Sequence, residues 1–220
     1  MRNNLYLISM GAMILFTAAH KPTAIFTQGV ITYTLKVTTQ ATDEETKAAV
    51  GMMPTEVTMK LKGNSMRMDM NMTIGKMSMI TKDGIGYTML MDMNGQKIAM
   101  KGTEAELDKM QQKNQESVTF TATTETKQLL EYTCKKYIGT STRDGKTTTL
   151  EVWATKDIQA PNQLTASKYK GLDGLLMEFD MSDGPINLHY LVKSIAPTAV
   201  GDAEFTIPAG YRLMPIPRGR

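Results

Sequence analysis

One cysteine in 220 residues means that no intramolecular disulfide can form. Cys134 therefore reads as a small buried hydrophobe, on a strand face shared with Tyr132 and Ile138. Histidine is almost as scarce: His20 and His189 are the only two, and with a single cysteine they cannot assemble the usual ligand set of a zinc site. A Ser-His-Asp triad would have to recruit His189, which alternates with Leu188 and Tyr190 onto a polar side, and no Gly-x-Ser-x-Gly elbow is present. Phosphate-cradling loops of the Gly-x-x-x-x-Gly-Lys kind are missing as well. The carboxylates Glu178, Asp180, Asp69 and Asp92 fall on strand positions expected to face water, where they are ordinary solvated groups and no glycosidase pair. These absences imply a protein that is not an enzyme and uses no cofactor.

An excess of charge of either sign is also lacking. The chain carries 25 basic and 22 acidic residues, and removal of residues 1–24 would leave 23 against 22, so no basic stripe remains to bind nucleic acid. Long apolar runs are limited to residues 5–19 (LYLISMGAMILFTAA), an uncharged stretch behind Arg2 followed by small residues. That is the form of a secretory signal peptide, too short for a comfortable membrane span, with cleavage after Ala19 or Ala24. The expectation is an exported protein, periplasmic or extracellular, with one domain over residues 25–220 and no transmembrane segment.

What the chain has in quantity is methionine, twenty in all. Met66, Met68, Met70 and Met72 occupy alternate positions, and so do Met77 with Met79 and Met89, Met91 and Met93. Period two is the strand period, so each run sets its thioethers on one face, while Arg67, Asp69, Asn71, Ser78 and Asp92 point the other way. Three neighbouring antiparallel strands sharing one methionine face is the simplest arrangement. Met is unbranched and polarizable, so such a face suits plain core packing and equally suits a cavity that repacks around apolar ligands. A third possibility is soft thioether binding of Cu(I) by Met66, Met68, Met70, Met89 and Met91.

Around this stretch the chain reads mostly as strands. Residues 29–39 (GVITYTLKVTT) put Ile31, Tyr33, Leu35 and Val37 on one face. The Thr42 and Glu45 spacing of a capping box predicts a short helix over 43–50, and Thr103 with Glu106 predicts another running to about 115, a candidate lid. Residues 57–62 form the next strand, turned by Gly63-Asn64, while Asp83-Gly84 and Asn94-Gly95 are hairpin signals that extend the meander through 96–101. Strands are expected again over 118–124, 132–141, 147–154, 175–181 and 186–193, with Asp144-Gly145 and Asp183-Gly184-Pro185 as turns. In residues 175–181 (LLMEFDM), Met177, Phe179 and Met181 share a side. Trp153, near a strand end, fits the edge of a core. Repeated short strands with few helices predict a mainly β, α+β fold built on a curved antiparallel sheet.

Three segments carry a resemblance: residues 124–140 (TETKQLLEYTCKKYIGT), 150–158 (LEVWATKDI) and 204–214 (EFTIPAGYRLM), together with the opening 29–33 and Lys62-Gly63-Asn64. They resemble a secreted bacterial family of unknown function that is similar to the GLPGLI proteins, among the relatives of the lipoprotein carriers LolA and LolB. Where that family has glycine before the tyrosine of its Tyr-x-Cys-Lys-Lys motif, this chain has Glu131. The resemblance implies an incomplete LolA-like barrel with one or two short helices on its concave side, an apolar interior and no catalytic residues. A lipophilic small molecule or a lipoprotein acyl chain would then be the partner. The wall would comprise Met66, Met68, Met70, Met72, Met77, Met79, Met89, Met91 and Met93, with Tyr87, Met177 and Phe179 as further members. A structural envelope protein with a dry core is the remaining alternative.

Overall fold

Strand β2 (Gln28–Thr39) lies inside a 13-stranded sheet although it is among the first elements of the chain. The structure, a computed structural model, describes residues 24–82, 84–103, 105–106, 118–143, 146–159, 169–172, 174–183 and 185–215. The expected signal peptide, apart from Ala24, lies outside them. So do the predicted helix beyond Glu106, the Asp144-Gly145 turn, Asp83 and Gly184.

A pair of residues, β1 (Ala24–Ile25), precedes β2, and helix α1 (Glu44–Met52) follows it. The meander then runs through β3 (Glu56–Lys62), β4 (Ser65–Met72), β5 (Gly75–Lys82), β6 (Gly86–Met93) and β7 (Gln96–Gly102), every neighbouring pair antiparallel. The second half comprises β8 (Val118–Leu129), β9 (Tyr132–Arg143), β10 (Lys146–Thr155), β11 (Ile158–Gln159), β12 (Tyr169–Lys170), β13 (Leu175–Asp183), β14 (Ile186–Ala196) and β15 (Arg212–Met214). In space the order is β12-β8-β9-β10-β13-β14-β2-β3-β4-β5-β6-β7-β15, with β1 and β11 forming a separate parallel pair. The result is a large, curved, open sheet, mainly β, as expected.

Local chemistry explains the joints. Asn94 and Gly95 both take positive φ, 51° and 79°, which is what a two-residue hairpin turn with left-handed central residues needs. Leu130 and Glu131 make an equally short turn between β8 and β9, but the left-handed residue is Leu130, with φ of 54°. The bend therefore forms without a glycine, with Leu130 in the left-handed position at the steric cost that a Cβ carries in that region. Helix α1 starts one residue later than its predicted capping box: Asp43 is the N-cap, and its carboxylate accepts from the Thr46 amide at 2.7 Å. Asp and Ser/Thr both serve as caps, so two adjacent candidates leave the choice to the neighbouring backbone. The helix buries no side chain, so it does not fill the hollow of the sheet.

One sheet face carries the main core. Leu35, Tyr190, Phe179, Val152 and Tyr137 form a row across five strands, and Ile31, Tyr33, Val57, Leu61, Cys134, Leu175 and Met177 are buried with them. Tyr33, Phe179 and Tyr190 pack ring against ring, Phe179 and Tyr190 stacked at 4.7 Å between centroids and Tyr33 edge-on to both. The Tyr33 hydroxyl donates to the Leu176 carbonyl at 2.8 Å, so the buried phenol is satisfied, and burial pushes its pKa up. Cys134 is fully buried in this cluster, where burial pushes the thiol up to about 11. In the folded protein at pH 8 it should resist an aromatic disulfide reagent and react only after denaturant is added; stoichiometric labelling of the native form would contradict its placement.

The reverse face of the meander differs from its expected solvated state. Arg67, Asp69 and Ser78 point there as predicted, yet they are buried beneath the C-terminal segment. Val200 and Phe205 pack with Ile80, Leu90 and Ala99 in a second core, joined by Val30, Ile207 and Tyr211. Arg67 donates from Nε to Asp69 Oδ1 at 2.8 Å and from Nη1 to the Glu204 carbonyl at 3.0 Å, and the Ser78 hydroxyl donates to Asp69 at 2.6 Å. Lys60 meets Glu204 at 2.7 Å and Lys62 meets Asp202 at 2.7 Å, so ion pairs ring this contact before β15 joins β7 as a parallel edge. Strand alternation tells which face a residue takes, not what covers that face, and this is why the carboxylate of Asp69 was misplaced in water.

Candidate functional site

The five meander strands place methionines opposite one another. Met59, Met68, Met79, Met89 and Met100 form an unbroken ladder across β3 to β7, continued on β2 by Ile31. Beside it run Val57, Met70, Met77, Met91 and Ile98, and beyond that Met72, Met93 and Gln96 with Gly75 between them. Strands sit about 4.8 Å apart, so the five-methionine ladder spans about 19 Å. The tight turns lock this register, since a slip of one residue would swing every thioether to the other face.

Packing divides the wall in two. Met66 is buried in the main core, and Met59, Met68 and Met70 pack against it. Met72, Met77, Met79, Met89, Met91, Met93 and Met100 are half-buried and belong to neither core cluster. Among the described residues, neither core cluster accounts for this half of the apolar face. Met177 and Phe179, expected in the wall, are buried members of the main core. Local sequence cannot distinguish core positions from half-buried ones along one continuous apolar face. Met59 and Met100, the ends of the ladder, were read only as strand residues, although their alternation with Lys60 and Lys101 carried the same signal.

One end of the wall is closed by the row Leu61, Met66, Thr81, Tyr87 and Gly102. The Tyr87 ring lies over Gly102, where any Cβ would come within 2.1 Å of it. Thr81 Oγ1 is buried there with no hydrogen-bond partner among the described residues. An unmade bond of that kind costs about 1–3 kcal/mol, so Thr81→Val should raise unfolding free energy by about 1 kcal/mol in a urea titration. A loss of stability would show that the hydroxyl is satisfied.

The five methionines considered for Cu(I) do not form one compact group. Met68 and Met89 stand two strands apart, about 9.6 Å, with Met79 between them, and Met66 is in the core. Among the described residues no three of His, Cys, Asp and Glu are grouped to hold a metal ion. No helix among them is long and apolar enough to cross a membrane. On the reverse face of the second half, His189 Nδ1 meets Asp180 at 2.8 Å and its Nε2 lies 3.8 Å from Glu178. Glu178 in turn pairs with Lys127 at 2.5 Å, and that ammonium sits 4.1 Å from the centre of the Trp153 ring. Trp153 packs at the edge of the main core, as expected, and these charges offset one another at the surface.

Asp69 is the one carboxylate of the meander with a strongly built environment. Burial pushes its pKa up, but the Ser78 hydroxyl, the hydrogen bond and charge of Arg67, and Lys76 outweigh this and hold it below the ordinary carboxylate value. A depressed pKa stabilises the fold above the unfolded-state value of about 3.9 and loses that contribution as pH falls through the folded-state value. Asp69→Asn should therefore cost more stability at pH 7 than at pH 3. Equal costs at the two pH values, measured by urea unfolding, would contradict the network.

The geometry is that of a mainly β sheet with a methionine face along one half. The chain belongs to the family described as Domain of unknown function (DUF4412), which matches residues 44–174. The match includes residues 124–140 and 150–158 and the whole methionine meander, but it stops short of β13 and β14, which complete the sheet around β2. No curated protein sequence matches the chain. Among solved structures it is similar to PNGF-II, at 13% identity and a TM-score of 0.44, covering 86% of this chain and 31% of that one. This chain thus spans about a third of PNGF-II. It is also similar to LprF from Mycobacterium bovis, at 9% identity and a TM-score of 0.37, covering 80% and 89% of the two chains. Neither likeness is close enough to carry an argument about activity.

Proposed function

We propose that this protein is an exported, non-enzymatic binder of a lipophilic ligand, a lipid or lipoprotein acyl chain held against the methionine wall of a LolA-like half-barrel. The observation that carries this reading is the set of half-buried methionines that, among the described residues, pack into neither core cluster. Seven unbranched thioethers on one strand face form a surface with many rotamers and no directional demands, which accommodates chains of different shape. Plain core packing would have enclosed them as it encloses Met177. Residues 1–24 would direct export and leave residues 25–220 as the working domain.

Titration with a fluorescent alkyl probe tests the reading. The protein should bind it saturably, with intensity rising as the probe leaves water, and an excess of unlabelled phospholipid should displace it. A signal no larger than that of an unrelated β protein at equal concentration would overturn the assignment.

A further inference from the structure

A second candidate site lies largely on the reverse face of the sheet and meets the end of the methionine wall at Tyr87 and Gly102. A cavity of about 500 Å³ lies between the β5–β6–β7 edge and the C-terminal segment at Phe205 to Ile207. This is within the roughly 300–1,000 Å³ range of small-molecule pockets. Its apolar lining comes from Ile80, Phe205 and Ile207, and Ile85, 72% exposed on the β5–β6 turn, stands at its mouth. Lys82 and Lys101 also line it, and no acidic residue does among the described residues. Register places Ile80, Thr88 and Lys101 side by side on this face, with Lys82 two residues along the same strand.

The other lysines around the C-terminal segment are committed: Lys60 to Glu204 and Lys62 to Asp202. Neither Lys82 nor Lys101 has an ion pair among the described residues, although Lys82 is close enough to help hold the Asp202 carboxyl below its ordinary pKa. Two lysines without an ion pair among the described residues, beside an apolar floor, match a molecule with one anionic end and one apolar end. We infer that this cavity binds a free amphipathic monoanion, an alkyl carboxylate whose tail rests on Ile80, Phe205 and Ile207 and whose head lies between Lys82 and Lys101.

The test follows isoleucine and methionine methyl groups of the full chain by NMR while dodecanoate, dodecanol or acetate is added below micelle-forming concentrations. Dodecanoate should shift Ile80, Ile85 and Ile207 saturably, and dodecanol and acetate should bind there at least tenfold more weakly. Lys82→Gln/Lys101→Gln should weaken the isoleucine response at least tenfold, whereas Lys47→Gln/Lys193→Gln, with the same change in net charge at exposed positions, should leave it unchanged. Met79→Asp/Met91→Asp should abolish methionine shifts and keep the isoleucine ones, so failure of either site is seen independently. Absence of saturable isoleucine shifts, equal binding of dodecanol, or an intact response in the Lys82/Lys101 variant would overturn the inference.

Discussion

Arg67→Ala should lower the unfolding free energy by about 3 kcal/mol, at the lower end of the 3–5 kcal/mol that follows when one member of a buried ion pair is removed. Arg67 is 8% exposed and Asp69 7%, so the substitution leaves a carboxylate under the C-terminal segment with its closest cation gone. Lys60 at 3.5 Å and Lys76 at 3.7 Å remain near Asp69, which keeps the loss from reaching the upper limit. The same change strips the Glu204 carbonyl of its donor and loosens the clasp that holds Phe205 in the second core. Replacing both partners by apolar residues, Arg67→Met/Asp69→Leu, should cost less than Arg67→Ala alone, because no unpaired charge stays behind. Urea unfolding measures both. A loss below about 1 kcal/mol for Arg67→Ala would mean that water reaches Asp69 and that the segment is not a cover.

Met79→Asp/Met91→Asp should weaken alkyl-probe binding at least about 100-fold. Any apolar ligand lying on the wall would have to desolvate two carboxylates at a cost of several kcal/mol, and each 1.4 kcal/mol is a factor of ten in affinity. Met79 and Met91 belong to neither core cluster, so the fold should survive and the unfolding transition should remain cooperative. Met68 is the poorer choice because it packs against the main core, where an aspartate would unfold the sheet as well as spoil the wall. Met79→Leu/Met91→Leu should retain binding within about tenfold, since branched aliphatic side chains keep the surface apolar while losing some freedom to adapt. Unchanged affinity in the aspartate variant would remove the wall from the site.

The wall was the most legible part of the chain because two local signals agreed on it. Met66 to Met72 announced their face by period, and Asn94-Gly95 fixed the register of the following hairpin through its two positive φ angles. The reverse face was illegible for a physical reason. Val200, Ile207 and Tyr211 lie on irregular chain and Phe205 ends a single 3-10 turn (Asp202–Phe205), so no repeating period announces that they cover Leu90 and Ala99 more than 100 residues away. Arg67 and Asp69 consequently looked solvated. The same limit applies to Phe179: its face follows from the period, while its ring packs against Tyr33, contributed by a strand distant in sequence. Helix α1 shows the opposite case, in which a strong local cap signal sufficed to form a helix that packs almost nothing.

Native mass spectrometry of protein gently purified from the cells that make it, set beside the same sample after denaturation, tests the central claim most directly. The account predicts a mass excess on the native protein that denaturation releases as a lipid, and its absence from Met79→Asp/Met91→Asp. The bare polypeptide mass in both samples, together with no uptake of an added alkyl probe, would contradict it and leave the methionine face as packing surface alone.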